Sequence, residues 1–294
     1  MNSAPLRSVS PIVIKCALLL ATLLIADIVQ AAGSNGLTVG IFPRRDSETT
    51  RAMFEPLLDY LQQEMDLVVS LEVPPDFEAF WAQLKENRYD LVHLNQYQYL
   101  RAHHHFGYDA ILKNEELGRT EIASVIWARK GSGIKQPVDL KGKKVIFGGG
   151  RQAMVSHIMA VDLLRQHALT ESDYLAQFAV NPVSAMLSLY YRQSMAAGAG
   201  DVLPHLLGLK NLVSPEEFIP LLRSQPVAQL PWAVSLTLSD KISVKIKQVL
   251  TRLKQNKAGR QLLSSAGLSG FAVAQDSDYD PHRQIVARVL QEQY

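Results

Sequence analysis

Two adjacent arginines stand where a β-rich run ends, and such a pair suits the capture of an anion. The apolar run 37–42 is interrupted by Pro43, and Arg44 and Arg45 follow directly. Guanidinium groups bind oxyanions through paired hydrogen bonds. A solvated surface turn is the alternative for this loop. We predict that Phe42, Arg44 and Arg45 border a binding site, because loops at sheet edges carry sites disproportionately.

A second polar loop, Asn95-Gln96-Tyr97, follows the short apolar strand predicted at 91–94. Its uncharged donors would hold an oxyanion and still allow its release. Asn95 can also cap the helix that follows, and the two roles are compatible. We therefore count Asn95, Gln96 and Tyr97 among the candidate ligand-binding residues.

Three glycines at 148–150 follow a predicted strand and precede Arg151 and Gln152. Glycine lets backbone N–H groups approach an anion at a helix N-terminus. The run lacks the spacing of dinucleotide-binding and Walker loops, so it does not predict a nucleotide site. We predict that Gly149, Gly150, Arg151 and Gln152 supply donors to an anion.

The fourth loop, Gly198-Ala199-Gly200-Asp201, ends a predicted strand of small residues. Small side chains allow a ligand to approach the backbone closely. Asp201 either accepts a hydrogen bond from a ligand amine or caps the next helix, and the pattern favours the cap.

Other polar clusters predict neither catalysis nor metal binding. The consecutive histidines 103–105 point in different directions on a helix, so they cannot all ligate one ion. The sequence has no nucleophile-elbow, zinc-protease or paired acid–base carboxylate motif. We expect no metal, no cofactor and no enzymatic activity.

The composition restricts the class of protein. The chain has 294 residues, 47% hydrophobic and 20% charged, which is typical of one or two globular domains. Its net charge of +2 is too balanced for a dedicated nucleic-acid binder. The single cysteine, Cys16, excludes an intrachain disulfide, a cysteine-rich zinc site and an iron–sulfur cluster.

The start of the chain has the pattern of a cleaved export signal. Arg7 and Lys15 precede the apolar run 16–25, and small residues follow around Ala31. The run is shorter than the roughly 20 residues that a membrane span needs. We predict a signal peptide over residues 1–31, cleavage near Ala31 with loss of the cysteine, and a periplasmic protein without a membrane span.

The rest of the chain alternates between strand and helix patterns. Strands are predicted at 37–42, 68–73, 91–94, 122–128, 143–147, 178–180, 195–199 and 227–238. Helices are predicted at 50–64, 77–87, 153–167, 182–193, 239–256 and 282–290. This alternation predicts βαβ units with parallel sheets, an α/β fold class and two lobes. The polar loops, at the carboxyl ends of strands, would then face one cleft.

Three segments together resemble a known family. They are Leu37-Thr38-Val39-Gly40-Ile41-Phe42-Pro43, Asp90-Leu91-Val92-His93, and Asp139-Leu140-Lys141-Gly142-Lys143-Lys144-Val145 running into Phe147-Gly148. They are similar to segments of the PhnD-like periplasmic solute-binding proteins of phosphate, phosphite and phosphonate ABC transporters. The similarity extends from about residue 37 to about residue 280.

The resemblance implies a type II periplasmic binding protein fold, in which two Rossmann-like lobes are joined by a two-strand hinge. Lobe one would comprise residues 37–124 plus 232–294, and lobe two residues 125–231. The segment Pro231-Trp232-Ala233-Val234 looks like the return crossover into lobe one.

The resemblance also adds candidate ligand-binding residues. Phosphonate binders of the family grip the ligand with a Ser-Thr-Ser run, and Met154, Val155 and Ser156 stand at the matching positions. A family histidine corresponds to Asn181. We add Ser156, Asn181 and Trp232 to the candidates, and we expect other donors to replace the missing hydroxyl groups.

The expected function is that of the periplasmic component of an ABC transporter. It would capture a small oxyanion, such as phosphonate, phosphite or phosphate, between the lobes and deliver it to the permease. The alternative is a ligand-sensing subunit that reports to a membrane histidine kinase. The sequence does not separate these two, whereas the neighbouring genes would.

Overall fold

In the part of the chain that the computed structural model describes, residues 36–43 and 45–294, two large mixed β-sheets carry helices on both faces. The strands are β1 Gly36–Ile41, β2 Val68–Glu72, β3 Leu91–His93, β4 Tyr108–Glu115, β5 Glu121–Ile122, β6 Ser124–Arg129, β7 Lys144–Gly148, β8 Leu175–Ala179, β9 Ala196–Gly200, β10 Phe218–Arg223, β11 Val227–Ala228, β12 Pro231–Ser235 and β13 Gly270–Val273. The helices are α1 Ser47–Met65, α2 Phe77–Lys85, α3 Gln96–Phe106, α4 Met159–Gln166, α5 Pro182–Tyr190, α6 Leu207–Lys210, α7 Asp240–Arg252, α8 Lys257–Ser265 and α9 Asp280–Leu290. A π-helical turn, Met154–Ile158, leads directly into α4.

The predicted signal peptide, with Cys16, and the predicted site residue Arg44 lie outside the described residues. Among the described residues, no helix is long and apolar enough to cross a bilayer.

The first sheet has the strand order β13-β4-β12-β3-β1-β2. β1 and β3 run parallel, with Val39 opposite Leu91, and β12 runs antiparallel to both β3 and β4. α1, α7 and α8 pack on one face of this sheet, and α2, α3 and α9 pack on the other. Since both faces are covered, the central strands β3 and β12 are buried along their whole length rather than at alternate positions.

The second sheet has the order β10-β6-β9-β7-β8. β7 runs parallel to β8 and β9, while β6 runs antiparallel to β9 and β10. α4 covers one face and α5 the other. A Cβ on Gly198 of β9 would collide with the Ser156 carbonyl oxygen and the Phe147 ring, so this small residue serves the packing of the π-helical turn.

The chain passes between the sheets twice. It leaves the first sheet after β4, reaches the second at β6, and returns from β10 to β12. The two crossing segments pair through β5 and β11, where Val227 stands opposite Ile122. The predicted lobe boundaries at 124/125 and 231/232 stay a prediction.

Two expectations about the sheets are wrong. Both sheets are mixed rather than parallel, because β4, β6, β10, β12 and β13 all run antiparallel to a neighbour. The strand predicted at 227–238 is instead two strands, β11 and β12, because this segment leaves one partner and joins another at Gln229-Leu230. The sequence patterns also did not predict β4, β10, β13 or α8.

Candidate functional site

A cavity of about 190 Å³ lies where the carboxyl ends of strands from both sheets meet. The loops after β1, β3, β7, β8 and β9 line it, together with the first turn of the helical segment at 153–156 and both crossing segments. Ligands of α/β proteins bind at this edge of the sheet. We therefore take this cavity as the candidate binding site.

The lining of the cavity is mainly apolar, with a few polar side chains. The Phe42 and Phe77 rings stack at a centroid distance of 6.4 Å, and further apolar contacts come from both sheets. The polar lining residues are Arg45, Asn95, Gln96, Glu116, Ser156, Asn181 and Gln229. Such a lining is typical of a site that encloses an organic molecule and orients it through a few polar groups.

The structure brings seven of the predicted site residues to this cavity. They are Phe42, Arg45, Asn95, Gln96, Gly149, Ser156 and Asn181. Of the other predicted residues, the described ones lie outside its lining: Tyr97, Gly150, Arg151, Gln152, Asp201 and Trp232.

Asn95 and Asn181 are held at the cavity because each caps a helix. The Asn95 Oδ1 accepts from the Gln98 N–H at 2.9 Å, and the Asn181 Oδ1 accepts from the Ser184 N–H at 2.9 Å. The Asn95 Nδ2 also donates to the Gln152 carbonyl at 3.4 Å, which joins a loop of the first sheet to a loop of the second. The side-chain carbonyl oxygens of both residues are thus engaged in capping. The Asn181 amide nitrogen takes no part in the cap.

Arg45 is the cationic side chain of the described lining. It is exposed, and it makes no ion pair with a carboxylate of the described residues. Its Nη2 lies 3.0 Å from the point where a Cβ on Gly208 would stand, so it reaches from the β1 loop to α6. A guanidinium in this position can bind an anion between the two sheets.

The helical turn Met154–Ile158 offers backbone donors, whereas the N–H of Gly149 in the preceding glycine loop donates to the Ala179 carbonyl at 2.9 Å. Gly149 and Gly150 have φ of +84° and +78°, a conformation that glycine adopts without the steric penalty of a Cβ. The first N–H groups of a helical segment have no acceptor within it, and they bind anions readily. The Ser156 hydroxyl donates to the Gly148 carbonyl, so it fixes this turn to β7.

His157 packs against the glycine loop and stabilises it. Its Nδ1 lies 2.9 Å from the Arg151 carbonyl oxygen, and its ring contacts Phe147 and Phe178. Burial lowers the pKa of His157, so the ring is neutral at pH 7 and adds no positive charge to the site.

Two of the predicted residues outside the lining contact other side chains, and a third is exposed. The Arg151 guanidinium lies 5.0 Å above the centre of the Phe178 ring, and Gln152 is exposed. The Tyr97 hydroxyl donates to Glu292 at 2.8 Å. Burial is the main cause that raises the pKa of Tyr97 above its usual value.

Asp201 is buried, and groups of the protein occupy its carboxylate. Oδ1 accepts from the Ala123 N–H at 3.1 Å, and Oδ2 pairs with Arg119 at 2.7 Å and with Arg223. It makes no capping hydrogen bond to the short turn Leu203–His205. The favoured sequence interpretation, a helix cap, is therefore wrong, because the two arginines and the Ala123 backbone N–H bind the carboxylate instead.

Trp232 belongs to the core of the first sheet. It is fully buried, its Nε1 donates to the Asn114 Oδ1 at 2.9 Å, and its ring stacks on His93 at 4.5 Å. The side chain is thus part of the packing behind the cavity.

Sequence reasoning missed Glu116, Gln229 and Phe77. Glu116 is buried and accepts from the Asn114 Nδ2 and the Gln229 Nε2, each at 3.3 Å. Glu116 and Gln229 lie on the crossing segments, which no motif marks. Only the position of the crossing segments could have indicated these two residues as site residues. The sequence patterns did not resolve that position. No group of three or more His, Cys, Asp or Glu within the described ranges is placed to hold a metal ion.

Comparison with known proteins agrees with this architecture. Residues 39–279 match the family model described as ABC transporter, phosphonate, periplasmic substrate-binding protein. A binding protein component of an ABC phosphonate transporter from Pseudomonas aeruginosa has the same fold, with a TM-score of 0.74, 15% identity and 88% coverage of each chain.

Two further solved structures share the fold. The PhnD1 protein of Prochlorococcus marinus, in complex with methylphosphonate, has a TM-score of 0.76 at 15% identity, with 88% of this chain and 100% of that chain covered. The periplasmic aliphatic sulphonate binding protein of Escherichia coli has a TM-score of 0.61 at 14% identity, with 88% of each chain covered. The chain has the α/β fold of type II periplasmic binding proteins, and it belongs to the family of periplasmic substrate-binding proteins of phosphonate ABC transporters.

Proposed function

We propose that this protein captures a small organic oxyanion in the cavity between its sheets and delivers it to the permease of an ABC transporter. The observation that carries the proposal is the convergence of strand-end loops from both sheets on one cavity that the exposed guanidinium of Arg45 lines. The protein would act by binding and release, without catalysis.

The donors around the cavity support an anionic ligand. Arg45 offers a charged fork of N–H groups, and the turn that begins at Ala153 offers backbone N–H groups at the start of a helical segment. Hydrogen bonds to charged groups contribute about 1.5–3 kcal/mol each. These donors can replace the hydroxyl groups that the family pattern would supply at Met154 and Val155.

The size of the cavity supports a small ligand. Its volume of about 190 Å³ lies below the roughly 300–1,000 Å³ of pockets that hold drug-sized molecules. A ligand of a few heavy atoms around one oxyanion group fits this range.

We also propose that residues 37–124 with 232–294 and residues 125–231 act as two lobes that close on the ligand. The paired crossing segments β5 and β11 would be the hinge, since the chain passes between the two sheets along these segments. Closure of this kind buries the ligand, and the closed shape would be what the permease recognises. Export would remove residues 1–31.

A calorimetric titration of the purified protein tests the function. Phosphate, phosphite, methylphosphonate, n-propylphosphonate, sulfate and arsenate form the panel. We expect at least one of these anions to bind at a single site. If none binds, and only neutral compounds raise the melting temperature, capture of an oxyanion is overturned.

The same titration locates the anion. Arg45→Ala should weaken binding by more than about 1 kcal/mol, because it removes a charged hydrogen-bond donor from the cavity. Arg151→Ala is the matched control, since Arg151 lies over Phe178 outside the lining. Equal affinities of the Arg45 variant and the wild type would remove Arg45 from the site.

A further inference from the structure

A second cavity, of about 370 Å³, lies between the second sheet and the segment that leads from β4 to β5. Residues of that segment, of β6, of β10 and of the loop after β9 line it, and its apolar walls are Leu117, Val125, Trp127, Val202 and Pro220. Pockets that hold organic molecules have volumes of roughly 300–1,000 Å³. The second cavity is thus large enough for an organic ligand, and the proposed function makes no use of it.

Two arginines and one carboxylate in the lining give the second cavity an excess of positive charge. The Arg119 and Arg223 guanidinium groups both pair with the Asp201 Oδ2, the former at 2.7 Å. The Asp201 side chain is 5% exposed, whereas those of Arg119 and Arg223 are 40% and 53% exposed. A guanidinium has five N–H donors, so both arginines retain donors for a further acceptor. One monoanion at this position would, together with Asp201, balance the two cations.

Leu117 holds an apolar side chain at the second cavity in a costly backbone conformation. Its φ is +52°, in the left-handed region that a leucine rarely adopts, and it is 51% exposed. It stands in the tight turn between Glu116 and Arg119, directly before Gly118, whose φ is +74°. Asparagine suits such a position of a turn better than leucine does. Because backbone strain of this kind clusters at ligand sites, the exposed leucine indicates a side chain that serves a ligand.

The wall opposite the solvent-exposed arginines combines two rings. Trp127 on β6 and Pro220 on β10 are cross-strand neighbours, and both line the second cavity. Trp127 is 7% exposed, and its Nε1 is buried without an acceptor among the described residues. An indole beside a pyrrolidine ring offers a broad apolar surface, which favours contact with a hydrocarbon group.

We infer that the second cavity binds a small amphipathic monoanion. Its hydrocarbon portion would cover Leu117 and Trp127, and its charged group would bind Arg119 and Arg223. A carboxylate fits the paired N–H groups of a guanidinium. This site is separate from oxyanion capture in the cavity between the sheets and does not depend on it, although Val202 lines both cavities.

Three ligands test the inference in calorimetric titrations of the wild-type protein. Octanoate carries both the charge and the hydrocarbon chain, 1-octanol lacks the charge, and acetate lacks the chain. We expect octanoate to bind at a single site, at least tenfold more tightly than either of the others. Octanoate that does not bind, or that binds no more tightly than 1-octanol, would overturn the inference.

Two arginine variants decide which cavity holds the octanoate. Arg223→Gln should weaken octanoate binding at least fivefold, while Asp201 keeps Arg119 as its partner. Arg45→Ala, in the cavity between the sheets, should change the octanoate affinity less than twofold. Arg252→Gln, at an exposed position on α7, is the control for the loss of a charge and should keep the wild-type affinity. Weaker binding in the Arg45 variant with wild-type affinity in the Arg223 variant would place octanoate in the other cavity and overturn the inference.

The variant Leu117→Asn separates ligand binding from a role in folding. Asparagine accepts the left-handed backbone and lacks the apolar side chain. The midpoint of urea unfolding should therefore equal or exceed that of the wild type, while the octanoate affinity should fall at least threefold. A wild-type octanoate affinity in this variant would reject the assignment of Leu117 to the site.

Tryptophan fluorescence locates the hydrocarbon chain. Octanoate should change the emission of the wild-type protein, and Trp127→Phe should remove that response. Trp81→Phe is the matched control and should retain it, because Trp81 lies under the Arg101 guanidinium on the first sheet's side of the chain. A response that persists in the Trp127 variant and disappears in the Trp81 variant would overturn the inference.

Discussion

Trp232 connects the core of the first sheet to the wall of the cavity through one chain of hydrogen bonds. Its Nε1 donates to the Asn114 Oδ1 at 2.9 Å, and the Asn114 Nδ2 donates to Glu116 at 3.3 Å. Around the indole, the His93 ring stacks at 4.5 Å and the Phe271 ring meets it edge-on at 5.6 Å. Burial of all members makes each bond costly to lose.

We expect Trp232→Phe to destabilise the protein by about 2–3 kcal/mol. The substitution keeps an aromatic ring but leaves the buried Asn114 Oδ1 without its donor and opens a small cavity. Urea unfolding measures the effect. Trp81→Phe is the control, because Trp81 is only partly buried and contacts the Arg101 guanidinium instead. An equal loss in both variants would contradict the role of the Asn114 bond.

At the scale of single residues, the sequence predicts which loops meet at the cavity. It predicts less well which side chains point into the cavity. Arg45 and Asn95 follow buried strands and reach the cavity, as their positions predict. Tyr97, in the first turn of α3, and Arg151, in the loop after β7, turn instead to Glu292 and to the Phe178 ring. Their direction depends on the pitch of the adjoining helix and on partners elsewhere in the chain, which local spacing does not specify.

Helix α9 carries a fully buried histidine that should make stability depend on pH. Burial is the main cause that lowers the pKa of His282 from 6.5 to about 3. The unfolded chain binds the proton near pH 6.5 and the folded chain does not. The stabilisation by neutral His282 is therefore complete above pH 6.5 and is lost progressively as the pH falls toward 3.

We expect this histidine alone to cost about 2 kcal/mol of the free energy of unfolding between pH 7 and pH 5. His282→Gln should flatten that part of the pH profile, measured by urea unfolding at each pH, whatever its effect at pH 7. Buried His157 has its pKa lowered in the same direction and will keep part of the slope. His104→Gln, at an exposed position, is the control for the loss of an imidazole. A wild-type slope in the His282 variant would reject this origin.

Helices that begin with a capping residue could be predicted from the sequence. Strands that exist because of their pairing partner could not. The helix predicted at 50–64 is observed as α1, whose N-cap Asp46 accepts from the Thr49 N–H at 2.8 Å. β10 pairs with β6 through an irregular register around Pro220, a residue that argues against a strand. Which strand it joins depends on a partner about ninety positions away, not on its own pattern.

At the scale of the whole molecule, α4 of the second sheet and α9 of the first are joined by an ionic contact. Arg288 donates to both carboxylate oxygens of Asp162, at 3.1 and 2.8 Å. Arg165 in turn donates to the Arg288 and Val289 carbonyls, at 3.3 and 3.4 Å. No sequence pattern predicts this contact, because its members are 126 positions apart and the assembly of both sheets brings them together.

This contact should hold the proposed lobes together and slow the release of ligand. The Arg288 side chain is 53% exposed, so solvent screens the pair, and removing it should lower the free energy of unfolding by no more than about 1 kcal/mol. The same loss favours separation of the two helices. We therefore expect Arg288→Gln to raise the ligand dissociation rate about twofold to fivefold in stopped-flow measurements, with an unchanged association rate.

Arg252→Gln, an exposed arginine on α7 without an ion pair among the described residues, is the control for the loss of a charge. The Asp162→Asn variant should raise the dissociation rate to a similar extent. In the double variant the two effects should not add, because both substitutions remove one interaction. Additive effects, or an equal effect of Arg252→Gln, would show that the rates respond to surface charge and not to the contact between α4 and α9.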